Sequence, residues 1–334
     1  MTSMKRKIFV AASVLAAVIS CERNEGPQPV NADAEKAMLE VRMVADATKV
    51  SGEGGAEENA VSDYQVLVYD MTSRSLEAYE KPGPEAVDVR FQCRVGIKEV
   101  VVLANAPDMS DMISYDDFLK EKSFLSDNSV GRLVMEGHAP MDLTASGASV
   151  TVDLRRMVSK VILDGITVDF EHDGYDDLDF VLKKIYLTNV AGDMTYSAET
   201  ADPAIWYNKI VQTSSDDVDG LILETLSDVS LKGATDYTSS HHFYCYPNPY
   251  KNDDFSSMWS PRPTRLVVEA ELGGETFYYP VSLPVLERNN RYHVSLHIVR
   301  PGARTPEQDM DRQAASFTIN IVGWQGSSSV TETI

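Results

Sequence analysis

The chain has 334 residues, with 30 Lys and Arg against 51 Asp and Glu for a formal net charge of −21, and 43% of its residues are hydrophobic. That hydrophobic share belongs to a packed globular protein rather than a disordered chain, and the length suits about two domains. An acidic surplus with no basic stripe repels the phosphates that dominate nucleic-acid affinity, so nucleic acid is excluded as a partner, and three cysteines are too few for a disulfide scaffold or a four-cysteine zinc site.

At the amino terminus, Lys5, Arg6 and Lys7 precede a mostly apolar, uncharged stretch, 8–20, which ends at Cys21. This is a positive n-region and a short h-region, too short to cross a hydrocarbon core of about 30 Å as a mature helix. Val18-Ile19-Ser20-Cys21 resembles a bacterial lipobox, where signal peptidase II cuts before a cysteine that carries lipid; the plainer alternative is a secretory signal in which Cys21 is incidental. The expected boundaries are a signal peptide over 1–20 and a Pro- and Gly-containing tether over 21–35. Removing the signal takes away three basic residues and no acidic ones, leaving 27 against 51. Acyl chains on Cys21 then hold the protein to the outer membrane, each buried CH₂ contributing about 0.8 kcal/mol. Cys93 and Cys245 read as small buried hydrophobes.

From residue 36 the dominant period is two. Leu39, Val41 and Met43 alternate with Glu40 and Arg42, and a Gly- and Glu-rich gap, 51–59, separates them from a second strand over 64–70, followed by a turn over 71–75. Val87 to Cys93 alternates again, and Val100-Val101-Val102-Leu103-Ala104-Asn105-Ala106-Pro107 is an apolar run stopped by proline, as in a fully buried strand. A helix is expected over 114–122, where Ser114 and Asp117 can form a capping box. Strands follow over 150–154 and 159–163, with Arg155-Arg156-Met157 as the crossover, then over 180–189, 264–271, 277–283, 292–299 and 317–322. The expected fold is all-β: two β-sandwich domains, 36–157 and 158–334, with few short helices.

Little in this pattern suggests chemistry. His293 and His297 stand four apart, but Val294, Leu296 and Ile298 alternate around them, so the segment is a strand, the imidazoles lie about 13 Å apart, and both are expected on an exposed face. His241 and His242 are adjacent. The acidic run 169–180 imitates part of a calcium loop, yet Phe180 stands where the bidentate acid belongs, and an acidic hairpin loop is expected. Trp206, Tyr207, Trp259, Tyr278 and Tyr279 could stack on sugars, which keeps a surface glycan-binding lipoprotein as an alternative, although such rings more often pack a core. No nucleophile, metal, phosphate or dinucleotide motif occurs, so no enzyme and no cofactor is expected.

Several segments in order carry a resemblance: Cys21, Val66-Leu67-Val68-Tyr69-Asp70, Val101 to Pro107, Leu154-Arg155-Arg156-Met157-Val158-Ser159-Lys160-Val161, Ile185-Tyr186-Leu187-Thr188-Asn189-Val190, Phe243-Tyr244-Cys245-Tyr246-Pro247-Asn248, Tyr278-Tyr279-Pro280-Val281 and Arg288-Asn289-Asn290-Arg291-Tyr292. With these the chain resembles the fimbrillin-type subunits (FimA-like, type V pili) of Bacteroidales over nearly its whole mature length. The resemblance implies transthyretin-like sandwiches and export as a surface lipoprotein. A protease then removes the amino-terminal strand at a basic residue, and a neighbouring subunit's carboxy-terminal strand fills the vacated groove. Transferred to this sequence, the displaced strand is 37–44 with Leu39, Val41 and Met43; the processing residues are Lys49 in the loop or Arg42 in the strand; the donor strand is the tail 325–334 with Val330 and Ile334 on one face. The partners so implied are other fimbrial subunits, the outer membrane through Cys21, and host or bacterial surface ligands. An anchor, accessory or tip subunit is an alternative to the repeating shaft.

Overall fold

The computed structural model describes residues 35–45, 56–83, 86, 88–197, 202–209, 222–231, 235–252, 259–309, 314–324 and 329–333. Cys21, the tether up to residue 34, Lys49 and Ile334 lie outside the described residues. Contacts gather Glu35–Ile334 into one unit. Among the described residues twenty strands form, with a single α-helical turn, α1 (Tyr115–Phe118).

The first strands are β1 (Lys36–Ala45), β2 (Tyr64–Asp70), β3 (Ser75–Glu80), β4 (Asp88–Arg94), β5 (Gly96–Ala104), β6 (Lys122–Phe124), β7 (Met135–Leu143) and β8 (Ala148–Arg156). All but β6 join in one sheet in the order β3-β2-β5-β7-β8-β1-β4. This sheet folds over on itself at β7 and β8, which pair only through Met135 with Arg156 and Glu136 with Arg155 before diverging. Gly137 sits at the divergence, where a Cβ would come within 2.5 Å of the Asp153 carbonyl oxygen, so only glycine lets the two backbones approach. One layer is β3-β2-β5-β7, the other β8-β1-β4, and Leu39, Val41, Val66, Val68, Phe91, Cys93, Val100 and Val152 pack between them.

β4 shows why its sequence makes a half-buried strand: Val89, Phe91 and Cys93 point inward while Asp88, Arg90 and Gln92 face water. β5 has no such alternation because both its faces are covered. Val100 and Val102 enter the sandwich, whereas Val101 and Leu103 enter a second, larger core that includes Phe118, Leu125, Tyr196 and Tyr246. The expected helix over 114–122 shrinks to the one turn of α1. Ser114 does cap it by accepting from the Asp117 amide at 3.3 Å, but Phe118 is drawn into the second core and Lys122 already belongs to β6.

The remaining strands are β9 (Ser159–Val168), β10 (Phe180–Thr188), β11 (Val190–Ala191), β12 (Asp193–Thr195), β13 (Trp206–Tyr207), β14 (Leu223–Leu231), β15 (Thr235–Cys245), β16 (Arg265–Leu272), β17 (Glu275–Ser282), β18 (Asn290–Ile298), β19 (Ala315–Gly323) and β20 (Ser329–Thr333). They build a four-stranded sheet, β14-β10-β16-β17, and a five-stranded sheet, β15-β9-β18-β19-β20, with the second core between them. Two short pairs, β11 with β13 and β12 with β6, complete the pairing, and the last of these ties residues 122–124 to residues 193–195.

The motif asparagines have a backbone reason. Asn105, Asn189 and Asn289 all adopt φ between 53° and 58°, the left-handed region that asparagine tolerates better than other side chains. Asn105 donates to the carbonyls of Ala60 and Leu133 at 2.8 and 2.9 Å and accepts from the Ser62 amide, so it locks three segments at the end of β5.

Candidate functional site

β1 is an interior strand made from the beginning of the chain. It runs antiparallel to β4, from Lys36 opposite Arg94 to Arg42 opposite Asp88, and parallel to β8, from Leu39 beside Ala148 to Ala45 beside Leu154. Ala37, Leu39 and Val41 are 5%, 0% and 1% exposed, and Met43 packs half-buried beside them. Burial of side chains such as Leu39 and Val41 contributes roughly 1.5 to 3 kcal/mol each. On the outer face Glu40 meets Arg42 at 3.2 Å and Arg90 at 3.5 Å, and Arg42 also meets Asp88 at 3.3 Å. Such exposed pairs contribute little, so apolar burial and the two backbone ladders hold β1.

β4 has no ladder partner except β1 among the described residues. Without β1, both β4 and the facing edge of β8 would present unpaired N–H and C=O groups beside an apolar slot. β4 would still be tethered by a charged cluster: the Glu77 carboxylate of β3 accepts from Arg94 Nε at 3.1 Å and from the Arg94 amide at 2.7 Å, and lies 2.7 Å from Lys98 Nζ. Lys98, fully buried on β5, also meets Asp70 at 2.5 Å. Burial opposes ionisation of both acids, but hydrogen bonds from Lys98 and from neighbouring backbone amides prevail and hold their carboxyls below the usual range.

The turn between β7 and β8 abuts β1 as well. Gly147 has φ of +84°, and a Cβ there would lie 2.9 Å from the Met38 carbonyl oxygen. Beyond β1, the chain is pinned again at the 3₁₀ turn Ala56–Asn59, where the buried Glu58 meets Lys160 Nζ at 2.5 Å and accepts from the Tyr244 hydroxyl at 2.5 Å. Arg156 donates to the Glu58 carbonyl at 3.0 Å and stacks its guanidinium 4.6 Å from the Trp324 ring centroid. The residue before the tail is thereby packed close to the residues that follow β1.

β20, the tail strand, forms the edge of the five-stranded sheet and pairs antiparallel with β19, Val330 standing opposite Ile321 and Glu332 opposite Ile319. Thus the proposed displaced strand and the proposed donor strand occupy different sheets. Arg42 lies in the middle of β1 with its backbone laddered on both sides, at Asp88 and Thr151.

The other singled-out residues fall elsewhere. The exposed placement expected for both strand histidines holds for His297 only: His293 is buried, with Nδ1 3.0 Å from Asp164, because it fills the junction of β18 with β9. His241 lies between Glu224 at 2.6 Å and the Tyr237 hydroxyl at 2.8 Å. In the acidic run, Asp173–Tyr175 forms a 3₁₀ turn, and Glu171 pairs with Arg300 at 2.6 Å. No group of three or more metal-binding side chains occurs among the described residues. Tyr279 is fully buried, and Trp206 is nearly so, packed edge-on against Trp259 at 5.4 Å and Tyr250 at 5.8 Å. Trp206, Trp259 and Tyr250 thus pack against one another, and Tyr279 packs against Phe180. No helix among the described residues is long and apolar enough to cross a membrane.

Comparison with known proteins bears on this arrangement. Residues 37–160 match the family described as major fimbrial subunit protein (FimA), a segment that contains most of β1 and both of its neighbours. Among solved structures, fimbrilin (FimA) from Porphyromonas gingivalis W83 is similar with a TM-score of 0.63 at 15% identity, covering 87% of this chain and 98% of that one. The tip fimbrial protein Mfa3 from Porphyromonas gingivalis gives a TM-score of 0.53 at 13% identity over 86% of this chain and 100% of that one. A protein of Bacteroides eggerthii whose suggested role is cell adhesion gives 0.66 at 17% identity, over 89% and 98%. At such identities the likeness establishes a common fold. A comparison with curated proteins found no match. Residues 37–160, which hold most of β1 and its neighbours, are thus similar to the major fimbrial subunit family, and the chain shares its fold with fimbrilin.

Proposed function

We propose that the protein is a structural subunit of a cell-surface fimbrium that is exported as a lipoprotein through Cys21 and joined to other fimbrial subunits by strand exchange at the β1 slot, so that the fimbrium supports adhesion. Residues 36–157 and 158–334 then act as two β-sandwich domains, the first carrying the slot and the second carrying the tail. The observation that supports this reading best is the position of β1: it is the sole ladder partner of β4 among the described residues and the inner partner of β8, so its removal leaves two edges that only another strand can satisfy. Arg42 could be cut only after β1 had left the ladder, whereas Lys49 comes four residues after Ala45, the last residue of β1, in the sequence. Lys49 is therefore the processing residue we favour, and a lysine-directed protease is required.

Amino-terminal analysis of the protein recovered from cell-surface filaments tests the proposal. A start at Val50 is expected. Recovery only as full-length chain acylated on Cys21 would assign the protein to the membrane anchor, and absence from the filaments would refute the reading.

A further inference from the structure

The slot that β1 fills can be compared, position by position, with the tail that would fill it in a neighbouring copy. This comparison rests on the strand-exchange reading. β1 sends Ala37, Leu39, Val41 and Met43 inward at alternate positions, and the first three are at most 5% exposed. A replacement strand must offer aliphatic side chains with the same spacing, because inward positions alternate along any strand.

The tail does not. After Trp324 it reads Gln325-Gly326-Ser327-Ser328-Ser329-Val330-Thr331-Glu332-Thr333-Ile334. One face carries Gln325, Ser327, Ser329, Thr331 and Thr333, all polar. The other carries Gly326, Ser328, Val330, Glu332 and Ile334, so any register that directs both Val330 and Ile334 inward, in either strand direction, directs Glu332 inward between them. At the Leu39 or Val41 position a carboxylate would lie in the apolar core that holds Phe91, Val68 and Val152, whereas the Met43 position is only half-buried.

One position inside this sandwich lies near a cation. Lys98 shares a face of β5 with Val100 and Val102, close to the end of the slot where Ala37 stands opposite Cys93. An antiparallel tail could place Glu332 at the Ala37 position. Lys98 and Arg94, however, are already matched there by Asp70 and Glu77, so a third carboxylate would be uncompensated. That register also puts Val330 in the Leu39 position but Ser328 in that of Val41.

We infer that the β1 slot receives an extended segment with aliphatic side chains at three or more alternating positions, supplied by a partner strand other than residues 325–334, and that residues 325–334 of a second copy do not fill it.

Cys93 reports on the slot: it is fully buried with Ala37 as its register partner across the ladder, so losing β1 uncovers it. The full chain is cut with limited trypsin, the released segment is removed, and Cys93 is titrated with a thiol reagent in the presence of synthetic peptides. Three are compared: residues 36–45, residues 325–334, and residues 325–334 carrying Glu332→Val. Peptide 36–45 is expected to shield Cys93, the tail peptide to do so about tenfold or more weakly, and the Glu332→Val peptide to recover most of the difference. Equal shielding by the unmodified tail overturns the inference and leaves strand exchange intact. No gain from Glu332→Val also overturns it, since the carboxylate would then not be the obstacle. If Cys93 stays shielded after β1 is removed, or no peptide shields it, strand exchange itself fails and the inference with it.

Discussion

Leu39→Ala tests β1 both as a strand of the sandwich and as the removable segment of the proposed exchange. Leu39 is 0% exposed at the centre of β1, with Phe91 opposite on β4 and Ala148 beside it on β8. Truncation removes three carbons, about 2.4 kcal/mol at roughly 0.8 kcal/mol per buried CH₂, and leaves a cavity between two layers that cannot collapse freely. The expected loss for the uncut protein is therefore about 2.5 to 5 kcal/mol, read from equilibrium urea unfolding followed by tryptophan fluorescence. After trypsin has excised β1 and the segment has been removed, position 39 no longer belongs to the molecule, and wild-type and variant must unfold identically. A loss below about 1 kcal/mol in the uncut protein would mean that β1 is not a structural strand of the sandwich. A difference that persists after excision would mean that the segment never left.

Gly147→Val places a Cβ against the Met38 carbonyl at a positive φ, and should cost about 1 to 3 kcal/mol while speeding hydrogen exchange at the β1 amides. His138, between Glu136 at 3.2 Å and Glu99 at 3.6 Å, is pushed up to about 9: burial disfavours its charge, but the two carboxylates outweigh burial. Because that value lies above the unfolded value of about 6.5, its stabilisation is complete below about pH 6.5 and is lost as pH rises towards 9; His138→Gln should flatten the stability profile across that window. Glu58→Ala leaves Lys160 buried without its carboxylate and removes the acceptor of Tyr244, for an expected loss of about 3 to 5 kcal/mol in urea unfolding, whereas Glu287→Ala serves as a control on the same side of the molecule.

The sequence exposed β1 and β4 because each alternates strictly, and exposed β5 because its apolar run is unbroken. What periodicity could not convey is that β1 lies between β4 and β8, since pairing partners leave no mark on the period. β7 escaped altogether: its sequence, Met-Glu-Gly-His-Ala-Pro-Met-Asp-Leu, contains a glycine and a proline. Pro140 is tolerated there because β7 has parted from β8 after Glu136, so beyond that point it bonds to β5 alone and needs no donor on its other side. β14 and β15 were hidden for a related reason, as Ser, Thr, His and Asp fill them and their pairing rather than their composition makes them strands. The motif asparagines were legible as signals but not as left-handed backbone corners. The inward face of β1 was legible through Leu39, Val41 and Met43; the charged cluster of Lys98, Asp70, Glu77 and Arg94 was not, because its members come from four strands whose adjacency the sequence does not state.

The parallel pairing of β1 with β8 also fixes an order of events. No hairpin can form such a pair, and Leu39 cannot meet Ala148 until everything between them has been made and largely folded. The contacts of β1 therefore have high contact order and belong late on the folding route, after the rate-limiting barrier. Substitutions such as Leu39→Ala should then accelerate unfolding and leave the folding rate nearly unchanged. The earliest residues of the folded body close it last, and a segment that docks after the barrier is also one whose departure need not unravel the rest.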